Sequence, residues 1–394
     1  MERLICILCL VAACISSLFA QDLPPFTDKN CRTDAYPPSP SDAAPQYVFN
    51  MDLDPEDRWT ELVQPKSANI SFLIEDIKGL VGLLLGKKLT SEVIDDLFGP
   101  VVSSLREPYD RELQGIADAT GIPIGEIVLM NIFYEIESFC TAVIAQTKSG
   151  DIYHARNMDF GTFLGWDVKT NEWIISERLK PLVTNVEYQK GGKVIARAVH
   201  FAGYVGILTG LKPGVVSLNI NARHKLKDSG VLGFIEWILG DRKPYWTGFA
   251  LRDAILMAKD FNSTVEYLST VDTMVPSYLT VGGMNPGEGV VITKAQGNKS
   301  DAIRRINVDQ GNWFLVQTNY DSWKNAPWYD DRRDPAIKCM KNMTQPNVSS
   351  KSFFNVLSTK PVLNMLTTFT ALMHVREGTL EAYIRHCPQP CFPW

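Results

Sequence analysis

Cys140-Thr-Ala-Val-Ile-Ala-Gln146, Lys148-Ser-Gly-Asp151 and Ile152-Tyr-His-Ala-Arg-Asn157 read as strand, turn and strand. Both flanking runs carry β-branched and apolar residues, and the Ser-Gly-Asp between them is a turn signal. With the turn centred near residue 149, antiparallel pairing puts Cys140 opposite about residue 158. Arg156 and Asp159 then arrive beside it, so a thiol, a guanidinium and a carboxylate meet at one end of a sheet. Strand alternation sends Arg156 and Asp159 to opposite faces unless the strand has ended by 159, and Gly161 predicts that it has.

This grouping suits a nucleophile better than a core cysteine. A neighbouring guanidinium favours the thiolate. His154 shares the face of Arg156 and reads as a satisfied structural residue rather than a base. A cut in front of Cys140 would turn its own α-amine into the base and put nucleophile and base on one residue. Asp159 would hold that amine, and Arg156 would disfavour its protonation. The competing reading is an inert buried thiol. Other polar groups gather at strand ends. Asn219, Asn221 and Arg223 share one strand face at period two. Asn319 follows the run Trp313–Thr318, and an Asn amide there is placed to donate to a developing oxyanion. Asp330-Asp-Arg-Arg333, judged on charge alone, is a solvated ion-pair loop.

Upstream of the hairpin the pattern is helical from about Arg58 to Phe139. Ile70–Leu89 is its most apolar part and predicts a core helix, with a lipid-touching surface helix as the alternative. Gly86-Lys-Lys88 is no phosphate loop, because Val81 stands where the first Gly belongs and Lys88 where Ser or Thr belongs. Thr120-Gly-Ile-Pro-Ile-Gly-Glu126 opens a helix that runs to about Ser138. Downstream, strands are expected at Val186–Gln189 and Lys193–Phe201, flanking Gly191-Gly192. Further strands are expected at Val215–Asn221, Val290–Lys294, Ala302–Val308 and Trp313–Thr318. Helices are expected near Gly248–Phe261, Ser352–Thr359 and Leu380–Arg385. Residues 21–45 form a Pro-rich extended lead-in. A helical N-terminal third before a sheet-rich body is an α+β protein.

The chain has 394 residues, enough for one large domain or two ordinary ones. It is 45% hydrophobic and 21% charged, which predicts a sizeable core. The net charge of −5 with no Lys/Arg block argues against nucleic-acid partners. Residues 1–20 read as a signal peptide, with Arg3 before the apolar run Leu4–Leu18 and Ala20 as the last residue removed. That run is short for a bilayer span, and no later stretch reaches ~18 uninterrupted apolar residues, so no transmembrane segment is expected. N-x-S/T sequons at Asn69, Asn262, Asn298, Asn342 and Asn347 fit a luminal or extracellular fate. Of eight cysteines, Cys6, Cys9 and Cys14 leave with the signal peptide. The remaining odd number implies a leftover thiol. Cys387 and Cys391 flank Pro-Gln-Pro and are spaced to close a local loop. Pairing Cys31 with Cys339 would then leave Cys140 as the thiol, although sequence alone does not fix connectivity. No H-E-x-x-H or G-x-S-x-G pattern occurs, and no cofactor or metal is implied.

Cys140-Thr with Arg156-Asn-Met-Asp159-Phe-Gly is similar to the N-terminal-nucleophile amidases of the bile-salt-hydrolase type. Asn131-Ile-Phe-Tyr134, Phe163-Leu-Gly-Trp166, Phe201-Ala-Gly-Tyr-Val-Gly206 and Gln317-Thr-Asn-Tyr-Asp321 resemble the acid ceramidases. So do Asp330-Asp-Arg-Arg333, Leu357-Ser-Thr-Lys-Pro-Val-Leu-Asn364 and Cys387-Pro-Gln-Pro-Cys391. The resemblance covers nearly the whole mature chain in order. It implies an αββα sandwich made of a mainly helical α subunit, residues 21–139, and a β subunit, residues 140–394, joined by Cys31–Cys339. It implies that Cys140 attacks the amide of ceramide, forms a fatty-acyl thioester and is freed by water. Arg156 and Asp159 would tune the nucleophile, Asn319 would serve the oxyanion and Arg332 would order the site. Tyr134 and Asn221 would meet substrate. A lysosomal location with some secretion, and a saposin-type activator or anionic lipid as partner, follow from the same resemblance. One position departs from it: Ala222 stands where the pattern has Glu, which touches substrate preference and processing rate. An N-acylethanolamine amidase of the same mechanism, or a non-catalytic lipid-binding glycoprotein, are the alternatives.

Overall fold

The computed structural model describes residues 26–85, 89–136, 139–161, 165–223 and 245–393. The expected signal peptide and Gly86-Lys-Lys88 lie outside them.

The 139–159 hairpin forms as its sequence predicts. Strand β2 (Phe139–Gln146) pairs antiparallel with β3 (Ile152–Asp159), and Cys140 lies opposite Met158. Gly150 turns the chain with φ +97°, a conformation that side-chain-bearing residues avoid. The strand does not end before Asp159, because Asp159 pairs with Phe139 on one side and Thr367 on the other. Arg156 and Asp159 therefore point to opposite faces, contrary to the expectation drawn from Gly161.

With β13 (Phe314–Gln317), β14 (Thr367–His374) and β15 (Thr379–Ile384), the hairpin makes a five-stranded sheet in the order β13-β2-β3-β14-β15. A second sheet of eight strands lies against it. It contains β1 (Gln46–Asn50), β6 (Val183–Lys190), β7 (Lys193–Phe201), β8 (Thr209–Lys212), β9 (Val216–Ala222), β10 (Ser277–Gly282), β11 (Gly289–Lys294) and β12 (Ser300–Arg305), paired in that order. β4 (Trp166–Asp167) and β5 (Glu172–Trp173) form a separate small ribbon. Gly191-Gly192, both at positive φ, make the tight turn between β6 and β7.

Helices cover the outer faces. Arg333–Met343 and Ser350–Leu357 pack on the five-stranded sheet, and Thr247–Met257 and Phe261–Thr270 on the eight-stranded one. This is the αββα layering expected. The N-terminal helices α1 (Ser67–Leu85), α2 (Ser91–Phe98), α3 (Tyr109–Thr120) and α4 (Ile124–Ile136) pack together and share one apolar core with the large sheet. α1 buries Ile70, Leu73, Ile74 and Ile77 and is a core helix, although Phe72 and Leu83 remain exposed.

Other features also differ from expectation. Gln46–Asn50 is a strand that pairs in parallel with β6, so the N-terminal third is stitched into the sheet rather than set beside it. Thr379–Ile384 is strand β15 and not a helix, because alternate residues pack against the sheet and β14 supplies its hydrogen bonds. The strand expected to reach Val308 stops at Arg305, and Val308–Gln310 forms a 3₁₀ turn. Among the described residues no helix is long and apolar enough to cross a membrane.

Candidate active site

Antiparallel pairing brings four chain segments to one end of the five-stranded sheet. These are the start of β2 with Cys140, the end of β3 with Asp159, the start of β14 with Thr367, and the turn after β13 with Asn319. Cys140 is buried and is the described cysteine outside a disulfide. The other pairs are Cys31–Cys339 and Cys387–Cys391, with Cα separations of 5.4 and 5.9 Å, as proposed from the sequence.

The thiol faces the interior between the two sheets. Arg156, on the same face, donates from Nη2 to Cys140 Sγ and to Met158 Sδ. Its Nη1 donates to Leu208 O at 2.9 Å and Thr209 Oγ1 at 2.8 Å, which fixes the guanidinium to β8 and its approach. Burial works against its charge and lowers its pKa, while the Cys140 and Asp159 charges pull the other way.

The nitrogen of Cys140 is held from the opposite side. It donates to Asn319 Oδ1 at 2.7 Å. Arg332 Nη2 donates to the same oxygen at 3.0 Å, and its Nη1 reaches Asp159 Oδ2 at 2.9 Å. Arg332 also grips Asp330 through Nε and Nη2. Burial opposes the Arg332 charge, but Asp330 and Asp159 outweigh it and raise its pKa above the usual value. Asp159 also accepts from Thr367 Oγ1 at 2.6 Å. Burial raises its pKa despite Arg332. Asp159 thus reaches the nitrogen of Cys140 through Arg332 and Asn319. Asn319 Nδ2, the group an oxyanion would need, donates to Ala222 O at 2.8 Å in the unbroken chain.

Asn221 sits at the end of β9 with Nδ2 toward three carbonyls: Gln317 at 2.9 Å, Thr318 at 3.3 Å and Cys140 at 3.5 Å. Arg223, expected on the same strand face, pairs with Asp321 and Asp301. Tyr134 stacks on Phe201 and lies against Phe160 and Tyr204. It lines a narrow crevice with Leu208, Ile220, Ala222, Val275, Pro276 and Ser277. The Tyr134 and Ser277 hydroxyls are buried and have no hydrogen-bond partner among the described residues. Two walls of the crevice are tied to the nucleophile, Leu208 through Arg156 and Ala222 through Asn319.

The sequence missed two members of this site. Asp330 was read as part of a solvated loop yet is buried in a bidentate pair with Arg332. Thr367 stands in a strand that the sequence did not flag. Of the sequons, Asn262, Asn298, Asn342 and Asn347 are exposed, and Asn69 is half-buried on α1.

A family model described as linear amide C–N hydrolases, choloylglycine hydrolase family, matches residues 140–333. One described as the beta subunit of N-acylethanolamine-hydrolyzing acid amidase matches residues 42–103. The chain is 42% identical over 388 residues to the acid ceramidase of Heterocephalus glaber and 40% identical over 390 residues to that of Homo sapiens, covering 98% of both chains each time. A solved Caenorhabditis elegans N-acylethanolamine-hydrolyzing acid amidase ortholog superimposes with a TM-score of 0.53 at 31% identity, over 63% of this chain and 100% of that one. At that identity, and over nearly the full length of its relatives, the chain belongs to the acid ceramidase family.

Proposed function

We propose that the chain cuts itself between Phe139 and Cys140 and then hydrolyses the amide bond of ceramide to sphingosine and a fatty acid. The observation that carries this reading is the double grip on Cys140. Arg156 holds its sulfur, and Asn319, backed by Arg332 and Asp159, holds its nitrogen. An inert core thiol has no use for a hydrogen-bonded guanidinium and a separately oriented backbone nitrogen.

Self-cleavage begins with Sγ attacking the Phe139 carbonyl carbon. The C–N bond breaks, the amine takes the thiol proton, and a thioester remains. Water then releases Phe139 as a carboxylate. The new α-amine is the base for turnover. The Arg332 charge, one acceptor atom away, disfavours its protonation, while Asn319 Oδ1 keeps it oriented. The substrate carbonyl is then attacked by Sγ, and the amine passes the proton to the departing sphingosine nitrogen. Water cleaves the acyl thioester. For Asn319 to serve the oxyanion its Nδ2 turns from Ala222 O toward the reacting carbonyl once the Cys140 nitrogen is an amine. The Tyr134–Ser277 crevice takes substrate beside the nucleophile, its two buried hydroxyls meeting polar groups near the amide. Ala222, small in its lining, leaves room there.

Residues 21–139 and 140–394 become α and β subunits joined by Cys31–Cys339. The lysosome, a saposin-type activator or anionic lipid, and occupied sequons belong to the same reading, whose ceramide substrate the relatives named acid ceramidase favour. The structural likeness to the Caenorhabditis elegans amidase favours a second reading, an N-acylethanolamine substrate with identical chemistry. Comparing kcat/KM for ceramide and N-palmitoylethanolamine separates them. Preference for ceramide supports the first reading, and a strong preference for the ethanolamide replaces it.

A further inference from the structure

His154 stands two residues before Arg156 on the same face of β3, wholly buried, and the chemistry above does not use it. Both ring nitrogens are occupied: Nε2 is 2.6 Å from Asn219 Oδ1 and Nδ1 is 3.0 Å from Ser217 Oγ. The direction of each bond follows from the far end. Asn221 faces the carbonyl oxygens of Gln317, Thr318 and Cys140. Carbonyls only accept, so the Asn221 nitrogen must face them and its oxygen must face Asn219. Asn219 therefore donates through Nδ2, at 2.7 Å, and turns its own oxygen to His154. An oxygen there requires a proton on Nε2. His154 is the neutral Nε2–H tautomer, with Nδ1 accepting the Ser217 hydroxyl. Burial lowers its pKa to about 4, with Arg156 assisting and the Asn219 bond opposing, so the ring is neutral above that pH.

We propose that His154 is a positioning residue for the nucleophile. Through Asn219 it locks the Asn221 amide in the orientation that ties Cys140 to the Gln317–Thr318 backbone. That backbone carries Asn319, so the relay sets where Cys140 sits relative to the group holding its nitrogen. A histidine that merely fills space would need only its shape and its Ser217 bond. The proposal rests on Cys140 being the nucleophile.

The test compares His154→Phe, which keeps the ring volume and removes the donor, with His154→Gln, which keeps a donor nitrogen. Asn219→Asp is added; it is isosteric and cannot donate to Asn221. Self-cleavage rate, kcat and KM for ceramide, and Tm are measured on the full-length secreted protein, with kcat normalised to cleaved enzyme. The expected result is a kcat at least about tenfold lower in His154→Phe and Asn219→Asp, with KM within about twofold, and recovery to within about threefold in His154→Gln whatever its Tm. A kcat within twofold of wild type in His154→Phe overturns the proposal, as does a folded His154→Gln no better than His154→Phe. If His154→Phe does not fold, Asn219→Asp is judged on the same criteria. A Cys140→Ala control that still turned over would overturn the nucleophile reading itself. With that control inactive, the His154 result bears on the relay alone.

Discussion

Arg332 satisfies two buried carboxylates and orients one buried amide, so its removal exposes the balance of charges around Cys140. Arg332→Met leaves Asp159 and Asp330 buried without their cation, and such a loss costs about 3–5 kcal/mol. Urea unfolding should report a drop of that size together with little or no processed chain. A loss below about 1 kcal/mol would mean that solvent already screens the site. The buried histidines make a prediction of opposite sign to a buried cation. Burial lowers the pKa of His154 to about 4 and that of His200 to about 3, from 6.5. Their contribution to stability is full above pH 6.5 and is lost as pH falls through 6.5 toward those values. Upper bounds are about 3 kcal/mol for His154 and about 5 kcal/mol for His200. Asp159, whose pKa burial raises, pulls the other way. Urea midpoints should therefore fall between pH 7 and pH 4.5. His200→Gln should flatten that slope, and an unchanged slope would contradict the buried neutral assignment.

Between elements, a fully buried ion pair links α3 to the helix Thr247–Met257. Glu112 and Arg252 are both fully buried and pair through two bonds, with Trp59 Nε1 and Arg58 donating to the same carboxylate. Glu112→Ala strands Arg252 in the core and should cost about 3–5 kcal/mol, read as a lower urea midpoint. A near-neutral effect would place that contact at a solvated edge instead. The same elements show what the sequence carried. The register of the 139–159 hairpin was legible, because its alternation and turn chemistry are local and pairing Cys140 with Met158 needs only a turn position; its end at Asp159 was not, because Thr367 of the distant β14 extends the pairing. β15 was misread because Leu380-Glu-Ala-Tyr has helix-forming residues, and only β14 beside it makes it a strand. β1 was missed for the same reason: its pairing partner β6 lies far along the chain. Cys140, Arg156 and Asn319 announced themselves as chemistry at strand ends. Asp330 did not, because an acid beside two arginines looks like a surface ion pair until the fold buries it.

At the scale of the whole molecule, the cut after Phe139 would divide a single folded core. β1 is hydrogen-bonded within the large sheet, Glu112 pairs with Arg252, and Cys31–Cys339 crosses the same division. The two parts are held by packing as well as by sulfur. Reducing the processed protein without denaturant should leave a single species on size exclusion. Two separated fragments would show that the disulfide alone joins them. With the core already formed in the uncut chain, the proposed cleavage would be a late chemical step within a folded site, dependent on Cys140. The most direct measurement is N-terminal sequencing with intact mass of the secreted protein after incubation near pH 5, wild type beside Cys140→Ala. The account predicts a new N-terminus at Cys140 in the wild type and one unbroken chain in the variant, with ceramide hydrolysis only in the former. Cleavage of both, or an uncut wild type that hydrolyses ceramide, would contradict it.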